Sequence, residues 1–498
     1  MKSIKIFLLS IIAVLAVSCQ SFLDESLKGS YSSENYYTSA SKAEMAVNAI
    51  YNSLYDNKLW IFGDVASDDS VKGGDDGDQP QISEIDNLNP TDDNGTLGSF
   101  WQDTYETINR ANNVIQNVDG MDIDAALKAR LIGEAKFLRA YSYFNLVNVF
   151  GQVPLKLKPQ NESANIHIGL SSIGDIYSQI DLDLTEAADG LGNTRDGRAN
   201  KAAAYALLAK SKLFQEKWAD ALSAIANFES VGAAYSLVPN YADLFKSGGE
   251  NSSEAIFSIR YFNNSTASRG NNLNVWFSPF SEEMGYHFNQ PNQSFVDCFD
   301  EQTVGGQDDP RLDASIGRNG KPWFNGTTFD ASWGNVTGYL VKKYDEDKVE
   351  GVAKSQSTVP QHRIRYAEVL LIKAEAMNES GTPGAAAVLD QVRDRAGLAP
   401  TSASTQAPTN PGHTRSISLE TITFIVQVSL RDGSKRLRRV QGSMSNATAS
   451  RLILNYKNCQ PAKCVTSTFT PMPIRMIPPN SSGWSRRRML LPNRMPSQ

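Results

Sequence analysis

The chain has 498 residues, 41% of them apolar and 20% charged, with 48 Lys+Arg against 54 Asp+Glu and a formal net charge of −6. That length exceeds what one compact core usually serves, so one large domain or two intimately packed ones are expected. No apolar run reaches the roughly 18 to 20 residues of a membrane-spanning helix, and 4 cysteines are too few and too scattered for a disulfide scaffold or a paired metal site.

At the N-terminus, Lys2 and Lys5 precede an apolar stretch from Ile6 to Val17, the charge and length pattern of a secretory signal. Residues 1–18 are expected to be removed. The stretch "LAVSC" ends on Cys19 and resembles the lipobox at which a lipoprotein peptidase exposes a cysteine for acylation. It departs in one respect: Leu15 lies four residues before Cys19, where the usual pattern has Leu three before. The expectation is lipidation at Cys19, and several acyl chains anchor stably where one holds weakly.

The next informative segment, "NKLWIFGDVASDDSVKGGDDGDQPQ", carries Trp60, Asp68 and Asp69 and ends in an acidic run. "GGDDGD" lacks the spaced oxygen ligands of a calcium loop and reads as a solvated loop, so no metal is expected. In "LIGEAKFLRAYSYFNLVNVFGQVPL", Phe137, Tyr141 and Phe144 recur at helical spacing, with Gly151 and Pro154 as stop signals. This predicts a helix with an aromatic face buried in the core.

"NKAAAYALLAKSKLFQEKWADALSAIANF" predicts two helices joined at Gln215 to Lys217. Tyr205, Leu208, Ala209, Ala221 and Ile225 fall at tetratricopeptide-type spacings, where small residues let antiparallel helices approach closely. A second unit is expected in "RYAEVLLIKAEAMNESGTPGAAAVLDQVRDRAGL", where Ala374 and Ala386 repeat the interval of Ala209 and Ala221. Between the units, from about residue 230 to 360, Gly, Asn, Ser and aromatic residues dominate without helical period. Long irregular segments on a rigid scaffold usually carry function. Cys298, in "SFVDCF", is expected as a small buried residue.

A sugar binder needs exposed aromatic faces with polar groups beside them. The candidate ligand contacts are Trp60, Asp68, Asp69, Trp276, Tyr286, Trp323 and Trp333. For each loop Trp, ordinary packing and ligand contact are both open; Trp101 and Trp218 sit in helical patterns and read as core. There is no HExxH, GxSxG, Walker-type loop or GxGxxG, and the 4 His, at 167, 287, 362 and 413, form no motif. No catalytic residue or cofactor is expected. A glycosidase stays open, since it needs only two suitably spaced carboxylates.

"SCQSFLDES", "INRANNVI", "AKFLRAYSYFNLVNVFGQVPL", "DPRL" at Asp309 to Leu312, "RYAEVLLIKAEAMNESG" and "LDQVRDRAGL" occur in this order, and together they resemble the SusD/RagB family of nutrient-binding surface lipoproteins of Bacteroidetes. The resemblance covers about residues 19–400. It implies a mainly α fold, a SusD-like superhelix of tetratricopeptide-like helical pairs with long irregular loops and few short strands. It also implies a lipid anchor in the outer membrane, facing the cell exterior, and a role capping a SusC-like TonB-dependent transporter. The ligand would be an oligosaccharide or, in the RagB branch, a peptide. The expected division is a signal peptide at 1–18, an N-terminal helical region at 19–230 and a loop-rich ligand region with C-terminal helices at 231–400.

The last segment, 401–498, breaks the family pattern. It holds 14 Lys+Arg against Glu420 and Asp432, a net of +12, which leaves −18 for the first 400 residues. The favoured reading is a shift of reading frame after about residue 400; the alternative is a basic tail for nucleic acid or membrane. No nucleic-acid partner is expected.

Overall fold

The computed structural model describes residues 36–402, apart from 55–57, 161–167, 233, 265, 267 and 281–283. Cys19, the signal segment, the basic tail, His167 and His413 therefore lie outside the described residues. Among the described residues, the helices of eleven residues or more are α1 (Ala40–Ser53), α2 (Gly95–Asp119), α3 (Ala125–Phe150), α4 (Ile173–Gly190), α5 (Lys201–Phe214), α6 (Trp218–Ser230), α7 (Tyr366–Glu379) and α8 (Ala385–Arg395).

Side-chain caps set several of the starts. Asn94 accepts from the backbone N–H groups of Thr96 and Leu97, Asp124 from Leu127, Ser172 from Asp175 and Asn200 from Ala203. Each satisfies a helix-end donor that would otherwise be orphaned. Gly151, with φ +73°, closes α3 as its position before Pro154 predicts.

Successive helices stack as pairs: α2 against α3, α3 against α4, α4 against α5, and α5 against α6. The α6 helix then meets α7, which packs on α8. The α5–α6 turn falls at Gln215–Lys217, and Ala209 and Ala221 are both fully buried, so the close approach predicted for this unit is present. The second unit departs from its expected register. Ala374 is buried but Ala386 faces solvent, and α8 packs instead through Val388, Leu389 and Val392.

The α3 helix is also more deeply set than a one-faced stripe implies. From Gly133 to Phe144 every residue but Lys136 is buried, because α2 and α4 cover it from two sides. Two charges are buried with it. Arg139 donates to Asp183 of α4 from Nε (2.8 Å) and Nη2 (2.7 Å), and from Nη1 to Asn112 of α2 (2.8 Å). This bidentate contact joins three helices at one guanidinium.

The segment from 231 to 360 holds short helices and short strands. The strands of four residues or more are β1 (Ser70–Gly73), β2 (Ala255–Ile259), β3 (Phe288–Pro291) and β4 (Gln361–Arg365). They form two antiparallel ladders, β2 with β4 and β1 with β3, the latter running from Ser70 opposite Pro291 to Gly73 opposite Phe288. Cys298 is half-buried rather than core, its Sγ donating to the Ser294 carbonyl at 3.2 Å.

Candidate functional site

The β1–β3 ladder carries a compact aromatic cluster. A π-helical turn at Ile61–Val65 follows Trp60, and a short helix, Leu273–Phe277, brings up Trp276 and Phe277. Trp60 meets Phe277 edge-on at 5.3 Å and Trp276 at 5.9 Å; Trp276 in turn meets Phe288 at 5.1 Å and Tyr286 at 5.8 Å. Burial falls steeply along this chain of rings. Trp60 is 8% exposed and Trp276 half-buried, whereas Tyr286 is 50%, Phe280 65% and Met284 84% exposed.

The backbone that presents these rings is held in unusual conformations. Met284, His287 and Asn289 all have positive φ, at +57°, +41° and +56°. Such positions cost about 1 to 3 kcal/mol each for non-glycine residues and persist only where the surroundings over-determine them. Here those surroundings are visible. Tyr286 N–H donates to the Val275 carbonyl (2.8 Å), His287 N–H to Ser278 (3.0 Å), and Gly74 N–H to the His287 carbonyl (3.0 Å). Gly285 is required by the approach, since a Cβ there would lie 2.3 Å from the Ser278 carbonyl oxygen.

Polar groups ring the exposed face. His287 Nε2 lies 3.3 Å from Asp75 Oδ1, in an acidic loop where Asp75, Asp76 and Asp78 are exposed. Lys72 Nζ donates to the Asp78 carbonyl at 2.6 Å and sits 5.5 Å from the Phe288 ring centre. Asn335 Nδ2 donates to the Gly74 carbonyl (3.1 Å), and Gln290 Nε2 donates to Asn335 Oδ1 (2.7 Å). An amphipathic surface with two exposed rings, a carboxylate, an imidazole and an amide can take up a ligand that has both apolar faces and hydroxyl groups.

The structure thus brings Trp60, Trp276 and Tyr286 into one cluster and places Asp68, Asp69, Trp323 and Trp333 elsewhere. Trp60 is covered by protein and supports Trp276 from beneath. Trp323 is 5% exposed in a separate small core with Phe329 and Leu340, and half-buried Trp333 caps that core 5.2 Å from Phe329. Asp68 and Asp69 sit at the opposite end of the ladder from Tyr286, where the Asp69 carbonyl accepts from Asn292 N–H at 2.8 Å. Burial raises the Asp69 carboxyl to about 7 and that of neighbouring Asp64 to about 8, the latter lowered in part by a 2.8 Å bond from Asn289. Sequence reasoning missed Phe280, Met284, His287 and Asn335. Asp75 was read only as part of a solvated run, and nothing short of the ladder register ties it to His287.

Residues 15–213 match the family described as "Starch-binding associating with outer membrane", and residues 253–427 match the SusD family. The chain belongs to the SusD/RagB family. The second match runs past residue 401, where the charge balance reverses. SusD-like protein P2 of Formosa agariphila is 26% identical over 432 residues, covering 80% of this chain and 82% of that protein. Among solved structures, a "Laminarin binding SusD-like protein" is 26% identical with a TM-score of 0.67, covering 86% of this chain and 95% of its own. A SusD superfamily protein from Bacteroides vulgatus, 21% identical with a TM-score of 0.69, covers 85% of this chain and 91% of its own, and shares the fold. The tetratricopeptide-like helical scaffold expected from the sequence is the scaffold of this family.

Proposed function

We propose that this SusD/RagB member is a non-catalytic, cell-surface, glycan-binding lipoprotein. It is anchored in the outer membrane through Cys19 and delivers oligosaccharide to a SusC-like TonB-dependent transporter. The observation that carries the glycan reading is the exposed Tyr286 ring, backed by Trp276, with exposed Phe280 6.5 Å from the adjoining His287 ring and with Asp75 and Asn335 beside that segment. Flat rings beside hydroxyl-binding groups suit a sugar, whose ring has one apolar face and polar edges. The laminarin-binding relative and the starch-binding family description support the same ligand class.

In this reading the work is done by binding alone. Aromatic rings on a segment whose Met284, Gly285, Tyr286 and His287 N–H groups are all hydrogen-bonded are ordered before ligand arrives, so little entropy is lost on capture. Trp333 and Trp323, two of the sequence candidates, act through the small core that holds the Asn335 segment rather than by contact. Calorimetric titration with laminarin and starch oligosaccharides, together with chromatography of the mixtures after prolonged incubation, tests the proposal. Saturable binding with unchanged oligosaccharide is the expected result. Product formation would move the protein to the glycosidases, and binding of peptides with no binding of glycans would move it to the RagB branch.

A further inference from the structure

The turn that presents Tyr286 hangs on one neighbouring segment. Four consecutive N–H groups of the turn donate to its carbonyls: Met284 to Phe280 (3.1 Å), Gly285 to Pro279 (3.0 Å), Tyr286 to Val275 (2.8 Å) and His287 to Ser278 (3.0 Å). The place of that segment therefore decides the place of the ring. Gly285 makes the coupling tight, because a Cβ there would lie 2.3 Å from the Ser278 carbonyl oxygen and 2.7 Å from the Ser278 Cβ.

The segment is fixed in turn by two residues from a third stretch of chain. Ser278 is fully buried, and its Oγ donates to Asp345 Oδ2 at 2.7 Å while also lying against the Asn274 carbonyl. Asp345 is buried as well, and its Oδ1 accepts from Lys354 Nζ (2.9 Å) and from the Glu346 N–H (2.9 Å). The Lys354 carbonyl accepts from Asn274 Nδ2, at the other end of the short helix Leu273–Phe277. Asp345 and Lys354, paired to each other, thus hold both ends of the helix that carries Trp276. Bonds of this kind, made to a buried charged group, are among the stronger ones, and leaving such a partner unmet costs more than a surface bond contributes. Ser278 and Asp345 are closed to solvent, so neither contacts ligand; they act on it through the turn.

We infer that Ser278 and Asp345, with Lys354 behind them, are positioning residues for glycan capture: they set the place of the Tyr286–His287 turn and contribute to affinity without touching the sugar. The consequence for affinity rests on the glycan reading of the aromatic face; the tether itself does not. What matters in it is the geometry of the bonds rather than the charge. An amide at position 345 can still accept from Lys354 and donate its Nδ2 to Ser278 Oγ, whose one proton then turns to the Asn274 carbonyl.

The test is amide hydrogen exchange on the full chain, as wild type, Ser278→Ala, Asp345→Ala and Asp345→Asn, with calorimetric titration of a laminarin hexasaccharide into the same samples. Ser278→Ala should speed exchange of the Tyr286 and His287 amides about tenfold and weaken the hexasaccharide about tenfold. The α3 amides from Phe137 to Phe144 should exchange as in wild type, whereas a role in global stability alone would move them too. Asp345→Asn should restore both readouts relative to Asp345→Ala, to within about twofold of wild type. Should Asp345→Ala fail to fold, Ser278→Ala against wild type decides, since it removes one hydroxyl and leaves Asp345 its two other donors. Unchanged exchange at Tyr286 and His287 in Ser278→Ala, an equal rise in α3, or a faster turn with undiminished affinity would overturn the proposal. Wild type that binds no hexasaccharide would overturn the affinity claim through the glycan reading, while the exchange comparison, which needs no ligand, still confirms or refutes the tether.

Discussion

Tyr286 meets Trp276 edge-on, with ring centres 5.8 Å apart and planes 76° apart, and the exposed ring leans on the half-buried one. This division of labour separates binding from stability. Tyr286→Ala removes a half-exposed face with few partners beneath it, so glycan affinity should fall about 5- to 30-fold, equivalent to about 1 to 2 kcal/mol. The melting temperature should hold. Titration calorimetry and a thermal melt on the same sample check both, and normal affinity in Tyr286→Ala and Phe280→Ala together would remove this face from the site.

Trp60 and Trp323 should behave in the opposite way. Both rings are covered by protein, Trp60 by Trp276, Phe277 and Phe288, and Trp323 by Phe329 and Phe324. Truncation to Ala leaves a large cavity, and a loss of about 3 to 5 kcal/mol of folding stability is expected for each. Urea unfolding measures this. A loss below 1 kcal/mol would mean that the surrounding loops collapse onto the space.

What the sequence made legible follows from where periodicity exists. The α5–α6 pair could be placed to the residue because apolar spacing, small residues at Ala209 and Ala221 and a polar turn all agree. Trp60 and Trp276 both lie in aperiodic segments, so no pattern distinguishes the buried ring from the half-exposed one. That difference arises from the β1–β3 ladder, which pairs residues more than two hundred positions apart. Met284, His287 and Asn289 adopt positive φ without being glycine, a choice imposed by tertiary hydrogen bonds and invisible locally. The acidic run illustrates a middle case: its exposure was readable from composition, but its contact with His287 was not.

The buried Arg139–Asp183 pair makes a second stability test. Both side chains are excluded from water, and Asp183 also accepts from Gln179 at 2.9 Å. Arg139→Met strands a carboxylate in the helical core, and a loss of about 3 to 5 kcal/mol is expected. Adding Asp183→Leu removes the stranded charge and should restore part of that loss. Urea denaturation of the two single variants and the double variant forms the cycle. A double variant no more stable than Arg139→Met would show that the pair's cost lies in packing rather than in charge.

Cys19 is tested by chemistry instead of folding. Labelled palmitate should enter wild-type protein in a bacterial host that processes lipoproteins, and the label should fractionate with membranes. Cys19→Ala should take up no label and be recovered in the soluble fraction, because the attachment of apolar chains is what holds the protein to a bilayer. Membrane-bound, unlabelled wild type would point to retention through a partner.

The last expectation concerns pH. Burial raises Asp64 to about 8 and Asp69 to about 7, so the folded protein holds protons on these groups that the unfolded chain, titrating near 4, releases. Their contribution to stability is therefore complete below about pH 4 and is lost as pH rises through 7 and 8. His362 acts on the other side: buried against Ser258 and the Leu244 carbonyl, it is lowered to about 4, and its contribution is present above 6.5 and lost on acidification. Between pH 6.5 and 8 the two carboxyls titrate while His362 is already neutral in both states. Asp345, raised to about 7 by burial, adds to the loss, whereas Lys354, lowered to about 7 by burial, gains stability above pH 7, so the Asp64 contribution is read as the difference in Tm between wild type and Asp64→Asn, which should shrink from pH 6.5 to 8. Asp64→Asn can keep an oxygen to accept from Asn289, and His362→Gln should leave the pH dependence of Tm in this interval unchanged. A pH dependence of Tm in Asp64→Asn identical to that of wild type would show that Asp64 is ionised in the folded protein and that its charge is compensated from the Lys343 side.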